Sequence, residues 1–296
     1  MTMSKKVEEK KQKSYEKQNQ FLEVLKRLVK NKTAVAGFII FIILALASIC
    51  APLLTPYSYS TPSPAEALQG PSAAHIFGTD NLGRDLFTRI LYGGRVSLGL
   101  SLLAVAFSTI CGVVIGAICG YFGKGLDNVV MRLLDIIQAI PAMLLTIIIA
   151  TSLGTGLDKT VLALGIGPIP LMARLTRSSV MKASSFEYVE AAEAIGCSQF
   201  RRIFMHVLPN SLAPMIVEAS MGVASTILSL SSLSYIGLGV QPPTPEWGAL
   251  LSGAKLYMRS HPYLIIFPGV FIALTVLALN LAGDGLRDAL DPRLRQ

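Results

Sequence analysis

The stretch Glu187–Pro209 reads EYVEAAEAIGCSQFRRIFMHVLP, with three glutamates and two arginines set around a central glycine. Its surroundings have the opposite character. The 296-residue chain is 52% hydrophobic and 15% charged, with a mean hydropathy of +0.57. A soluble domain carries about 25% charged residues, so this balance points to a membrane protein interrupted by one polar unit.

Within that unit, Ser184 and Glu187 have the Ser-x-x-Glu spacing of a capping box, which predicts a helix beginning there. Gly196 suits the left-handed turn that ends such a helix. A second helix, SQFRRIFMHVL, is then expected to stop at Pro209. Phe200, Ile203, Phe204 and Val207 form its apolar side, with Arg201 and Arg202 on another. Glu187, Glu190 and Glu193 make an acidic row, while Ala191 and Ala192 are small enough to admit a partner surface. A polar row is usually a solvated face. Here a capped, glycine-hinged pair of helices lies in a chain with no engine of its own, which favours docking.

Outward from this unit, the charges are clustered and leave long uncharged windows. A membrane-spanning helix needs about 20 apolar residues, because lipid satisfies no bare backbone amide. Residues 33–54, 96–123, 136–157, 219–245 and 260–283 meet that length. A sixth window, residues 160–173, is short and carries Gly165, Gly167, Pro168 and Pro170. The basic residues decide for it. If all six windows cross and the N-terminus is cytosolic, twenty of the 26 Lys and Arg fall inside. Omitting the sixth moves Arg174, Arg177, Lys182, Arg201 and Arg202 outside, against the positive-inside rule. The expectation is therefore six transmembrane helices with both termini cytosolic, which puts the opening stretch in the cytosol. The division is a basic arm over 1–32, a first span over 33–54, an extracytoplasmic loop over 55–95, a five-helix core over 96–283 containing the loop 184–209, and a cytosolic tail over 284–296.

The net charge of +8 comes largely from the arm, where ten bases face Glu8, Glu9, Glu16 and Glu23, and calls for no nucleic acid. Residues 1 to about 18 read as disordered. Phe21, Leu22, Leu25, Leu28 and Val29 recur beside Lys26, Arg27 and Lys30 as in a helix lying on the inner membrane surface. A plain positive flank with no partner reads equally well.

Inside the spans, Gly112, Gly116 and Gly120 form a small-residue stripe for close helix approach, read as packing within this chain. Pro141 permits a kink in the third span. Asp135 and Glu218 are the ionisable residues nearest the membrane interior and are candidates for a transport pathway. Arg132, three residues from Asp135, offers a structural pairing instead, and structural pairing is the favoured reading. The four cysteines show no disulfide or metal spacing and read as packing residues.

The chain has no GxxxxGK[ST] phosphate loop, no HExxH metal site and no GxSxG nucleophile elbow. No covalent chemistry is expected of it. A transporter, a channel or a scaffold remains, and nucleotide energy would have to come from another chain.

The pattern Glu190-Ala191-Ala192, three residues, Gly196, then Leu208-Pro209 resembles the EAA loop of permease subunits in bacterial ABC importers. His206 stands where that family usually has an apolar residue. FGTDNLGRDLFTRILYGGRVSL (77–98), LSYIGLGVQPPTPEWGALL (233–251) and GDGLRDALDPRLR (283–295) are similar to segments of the dipeptide, oligopeptide and nickel group, specifically its second permease. Asp80–Arg84 and Asp85–Arg89 are spaced as helical ion pairs, with Leu86, Phe87, Ile90 and Leu91 as the apolar side of an outer-surface helix. That helix reads equally as a membrane-surface element or as a binding-protein contact. Pro242, Pro243 and Pro245 would stiffen an exposed loop, with Trp247 at the membrane interface.

The resemblance implies an all-α membrane fold like the transmembrane domain of methionine- and peptide-type importers. It implies half of a heterodimeric pathway in an ATP-driven importer in the bacterial cytoplasmic membrane, most simply for di- or oligopeptides. The same machinery carrying nickel or a metal chelate is the alternative; an ion-coupled secondary transporter would need a repeated half that is not found. Implied partners are a second permease, two ABC ATPase subunits that hold ATP and magnesium, and an extracytoplasmic binding protein. By position, the ATPase-docking set is Glu187, Glu190, Ala191, Ala192, Glu193, Gly196, Leu208 and Pro209.

Overall fold

The computed structural model describes the backbone of residues 20–290, so the expected disorder of residues 1–18 and the last six residues lie outside the described residues. Within them the protein is almost entirely helical. Helix α1 spans Gln20–Lys30 and α2 spans Lys32–Ile49. Asn31 divides them by taking an extended conformation and accepting hydrogen bonds from the Thr33 and Ala34 amides at 3.2 Å. Helix α2 buries Ala34, Gly37 and Ser48 and leaves Ile39, Ile42, Ile43 and Leu46 exposed. Such a face is suited to lipid, which solvates apolar side chains as well as a protein core does.

Helix α3, Leu86–Phe122, runs 37 residues, or about 55 Å at 1.5 Å per residue. The expected second span is only its inner part, and the expected surface helix is its outer part. Leu86, Ile90 and Leu91 are buried, so no free amphipathic face exists there. The charge pairing also differs from expectation. Asp85 caps α3 through the Thr88 amide and hydroxyl, both at 2.7 Å, and meets buried His75 at 2.9 Å. Arg89 turns to Asp80 instead, at 3.4 Å, beside the expected Asp80–Arg84 pair at 2.8 Å. The reason is that the Asp85 carboxylate is taken up by its capping bonds to Thr88 and by His75, which leaves Asp80 as the partner for Arg89.

After α3 come α4 (Lys124–Ala139) and α5 (Ala142–Leu153), which meet at 91°. The expected kink at Pro141 is a full break. Proline cannot donate to the preceding turn and biases its predecessor away from helix, and Ile140 is extended at φ −84°, ψ 127°. Helices α6 (Leu157–Ile166) and α7 (Ile169–Ser184) follow, parted at Gly167–Pro168. The expected sixth window is thus not one continuous helix. Among the described residues four helices are long and apolar enough to cross a membrane, and the bent α4–α5 pair makes a fifth candidate.

Helix α3 packs closely against α7. Positions 112, 116 and 120 abut Met172, Ala173, Thr176, Arg177 and Val180, so the glycine stripe packs within this chain. A helical hairpin unit follows: α8 (Glu187–Ala194), then the helical run Gln199–Ser211, whose middle, Arg202–Val207, is a π-helix. Helices α9 (Ala213–Tyr235), α10 (Trp247–Ala254) and α11 (Tyr263–Leu290) complete the chain. Helix α11 continues past Gly283, where the tail was expected to begin, because Gly283 and Gly285 pack on Met221 and Ala34.

Trp247, expected at the membrane interface, is fully buried and donates its indole N–H to the Ile90 carbonyl at 2.9 Å. Glu246 beside it is also fully buried. Its carboxylate accepts from the Ser97 hydroxyl and the Gly248 and Ala249 amides at 2.9–3.0 Å, which satisfies the charge and caps α10. The loop before α10 therefore keeps Pro242 and Pro243 exposed but buries Pro245 and plugs its end into α3.

Candidate coupling site and pathway cavity

The hairpin begins at Glu187, not at Ser184. Ser184 ends α7, and its hydroxyl is buried without a partner; Phe186, extended at φ −82°, ψ 142°, occupies the N-cap with no side-chain bond. The expected capping box therefore does not form. The first helix is set by its far end and by packing.

That far end follows the expectation closely. Gly196 has φ +79°, a left-handed conformation that costs other residues a backbone clash. Its amide donates to the Glu193 carbonyl at 2.9 Å, and the Cys197 amide donates to the Ala192 carbonyl at 3.0 Å. This paired bond pattern is a Schellman motif, which satisfies the carbonyls a helix end would leave bare. Ser198 then caps the returning run through the Arg201 amide at 3.4 Å.

Two contacts make the hairpin rigid. Arg202 reaches back over the turn to Glu193 at 2.5 Å and lies 6.0 Å from the centre of the Tyr121 ring on α3. The pairing with Glu193 holds the Arg202 guanidinium above its ordinary range. Val189 and Val207 pack with Ala117, Val180 and Ala183, which fixes the hairpin to the ends of α3 and α7. Pro209 does not stop the helix. It sits at the start of the short helix Leu208–Ser211, and the preceding π-helix shifts the bonding register so that its missing N–H does not break the run.

The predicted site residues divide by exposure. Glu187, Glu190, Ala191, Glu193, Gly196 and Pro209 are exposed, Leu208 is half-buried, and Ala192 is buried against its own chain. The expected apolar face of the second helix splits. Ile203 and Val207 are buried in the bundle, whereas Phe200 and Phe204 meet outside as a tilted pair with ring centres 4.4 Å apart, and Arg202 is buried. The π-helix causes this, since its wider turn breaks the 3.6-residue period on which the expectation rested. The tip presents Ile195 at 85% exposure, Phe200 at 72% and Met205 at 65%. The apolar reading covered only the second helix and took it as regular, so it missed Met205 there and Ile195 at the end of the first.

The two candidate pathway acids part company. Asp135 on α4 pairs across to Arg174 on α7 at 2.5 Å, and Arg132, the expected partner, lies at 3.9 Å. A second clasp joins the same helices, with Arg177 bridging both oxygens of buried Asp127. Glu218 on α9 has no ion-pair partner among the described residues and lines a cavity of about 410 Å³. The bend at Ile140–Pro141 lines the same cavity, together with Gln138, Thr146, Ser225 and Ser229.

This geometry has known counterparts. Residues 112–296 match the family described as binding-protein-dependent transport system inner membrane component, and residues 19–71 match the N-terminal TM domain of oligopeptide transport permease C. The chain is 46% identical to the dipeptide transport system permease protein DppC of Alkalihalophilus pseudofirmus, over 92% of this chain and 90% of that protein. It is 41% identical to the di/tripeptide transport system permease protein DppC of Pseudomonas aeruginosa, over 90% and 89%. The glutathione transport system permease protein GsiD of Pectobacterium atrosepticum is 39% identical, over 92% and 91%. Among solved structures, an inward-facing MetNI methionine ABC transporter shares the fold at a TM-score of 0.55 and 18% identity, covering 68% of this chain and 96% of that one. The chain is a member of the binding-protein-dependent transport system inner membrane component family.

Proposed function

We propose that this chain is one of two permease subunits in an ATP-driven importer of di- or oligopeptides. The names of its relatives support the cargo class, since dipeptides, tripeptides and glutathione are all short peptides. The complex would comprise a second permease, two ABC ATPase subunits and an extracytoplasmic binding protein. ATP and magnesium would bind the ATPases, and this chain would carry no catalysis. It would lie in the bacterial cytoplasmic membrane with both termini cytosolic. In that arrangement the α6–α7 pair completes six crossings, a count supported by the twenty bases it leaves on the inner side. Helix α1 would rest on the inner surface.

The observation that carries the reading is the hairpin of residues 187–211. It is clamped to α3 and α7 on one side and bare on the other, with exposed Ile195, Phe200 and Met205 beside Glu187 and Glu190. An exposed apolar tip rimmed by charge marks a protein contact. Seated in an ATPase groove, a unit held this firmly transmits motion to the bundle as a rigid body, so closure of the ATPase dimer would rock the spans.

The test is co-purification. Phe200→Asp and Ile195→Asp should release the ATPase subunits from a tagged permease pair while leaving the pair intact on size exclusion. ATPases retained at wild-type stoichiometry, with normal uptake, would remove this hairpin from the mechanism.

A further inference from the structure

Helix α9 carries Glu218, Gly222, Ser225, Ser229 and Ser232 at alternating steps of four and three residues, which places them on one face of the helix. At 1.5 Å per residue the stripe is about 20 Å long, against a hydrocarbon core of about 30 Å. Adjoining cavities open along it. The 410 Å³ cavity takes Glu218, Gly222, Ser225 and Ser229, a cavity of about 330 Å³ takes Glu218 from the α11 side, and one of about 130 Å³ takes Ser229 and Ser232. The largest falls within the size range of small-molecule sites, about 300–1,000 Å³.

The chemistry of the wall is one-sided. Glu218 is the single ionisable residue lining these cavities among the described residues. Most of the nearby hydroxyls donate to their own backbone; Thr109, whose hydroxyl is buried without a partner, keeps its hydrogen. Ser225 donates to the Gly222 carbonyl at 2.9 Å, Ser229 to Ser225 at 3.0 Å, Ser108 to Val105 at 3.0 Å and Thr146 to Ala142 at 2.9 Å. A hydroxyl that donates to its own backbone offers only lone pairs to a visitor. The surface is therefore rich in acceptors and negative, with the Gln138 amide and the Thr109 hydroxyl as its available side-chain donors. A carboxylate in a spanning segment is costly unless a cation or water compensates it, and such residues mark pathways.

We infer that Glu218 and the hydroxyl wall of α9 form an intramembrane subsite for the α-ammonium end of a short peptide. A free amino terminus brings three N–H donors and a positive charge, which complements this wall; a peptide carboxylate would be repelled by Glu218 and would find few donors. The inference rests on the peptide reading above and adds a polarity to it: cargo is held by its amino end against α9.

The test uses the complete permease–ATPase complex in nanodiscs without the binding protein, so that only the membrane site selects. Equilibrium binding is measured for a radiolabelled dipeptide, its N-acetyl form and its C-terminal amide. The expected order is dipeptide and amide alike, with the N-acetyl form about tenfold weaker, as follows from losing one charged hydrogen-bond partner. Glu218→Gln should abolish the difference, Glu218→Asp should restore part of it, and Ser225→Ala with Ser229→Ala should weaken all three. Size exclusion and basal ATP hydrolysis check that each variant assembles. Binding that ignores acetylation, binding unchanged in Glu218→Gln, or no binding to the wild-type complex overturns the subsite. A separate uptake assay with the binding protein tells this failure from a wrong cargo class: peptide import that ignores Glu218 spares the function and ends the subsite. A complex that imports no peptide ends both.

Discussion

Arg202 and Glu193 join the two arms of the hairpin across the Gly196 turn, their charged atoms 2.5 Å apart, with Arg202 buried and Glu193 largely in solvent. The pair is worth more as a clasp than as a source of stability. An ion pair with one exposed partner contributes little to folding, but it fixes the angle between two short helices that touch the bundle through different residues. Arg202→Ala should leave the subunit folded and the ATPases bound, yet lower the amount of cargo moved per ATP several-fold. The check is uptake and phosphate release measured together in proteoliposomes. Charge reversal at both positions, Glu193→Arg with Arg202→Glu, should recover part of the ratio. If the single variant couples as wild type does, the clasp has no mechanical role.

Gly196 isolates the backbone contribution. No atom lies within 4 Å of a Cβ added there, so substitution meets no steric obstacle and only the left-handed φ of +79° resists it. Gly196→Ala should cost about 1 kcal/mol, and Gly196→Asn less, since asparagine tolerates this region. Gly196→Pro both forbids the φ and removes the amide that donates to Glu193, so it should detach the ATPases. Thermal unfolding in detergent and co-purification should rank the three as Asn, Ala, Pro. An alanine variant as damaging as proline would show that contact, rather than conformation, sets the requirement.

The Asp127–Arg177 bridge fastens α4, the first half of the broken span, to α7. Asp127 is buried, so removing the arginine leaves a carboxylate short of its partner in a poorly solvated place. Arg177 is itself about a third exposed, which lowers the cost, and Arg177→Met should destabilise the subunit by roughly 1–3 kcal/mol. Asp127→Asn with Arg177→Met should lose less than the single change, because no charge is then stranded. The measurement is a double-mutant cycle by thermal denaturation. Additive losses would mean that the bridge does not couple the helices.

The sequence was most readable where one local rule acts alone. The Gly196 turn, the Asp80–Arg84 pair and the glycine stripe on α3 each depend on a few adjacent positions or on a helix period that persists. It was misleading where a distant contact or a change of period intervened. Ser184 has the right spacing for a cap, yet α7 continues through it. Phe200 and Phe204 follow a regular apolar pattern, yet the π-helix turns them outward. Trp247 has the composition of an interface residue, but Ile90, 157 positions away, claims its N–H. Of the two acids, Asp135 read correctly as paired but with the wrong first partner, because Arg174 lies on another helix. The cavity beside Glu218 needs the 91° bend at Pro141, whose angle no local pattern states.

The last prediction concerns Gly116, in the middle of the contact between α3 and α7. A Cβ added there would lie 2.6 Å from Thr176 Cβ, and at Gly112 the corresponding atom would meet Met172 Cβ at 2.6 Å. Neither is the end of a flexible side chain that could swing away, so the helices must separate. Overpacking of this kind costs about 1–3 kcal/mol for a single methyl, and more for a branched side chain that also cannot rotate clear. Gly125 on α4 supplies the control, since nothing lies within 4 Å of its added Cβ and its propensity change is the same. Gly116→Val should therefore lower the melting temperature in detergent by several degrees, or prevent accumulation in the membrane, while Gly125→Val does neither. Equal behaviour of the two variants would mean that α3 and α7 are not in close contact at this level.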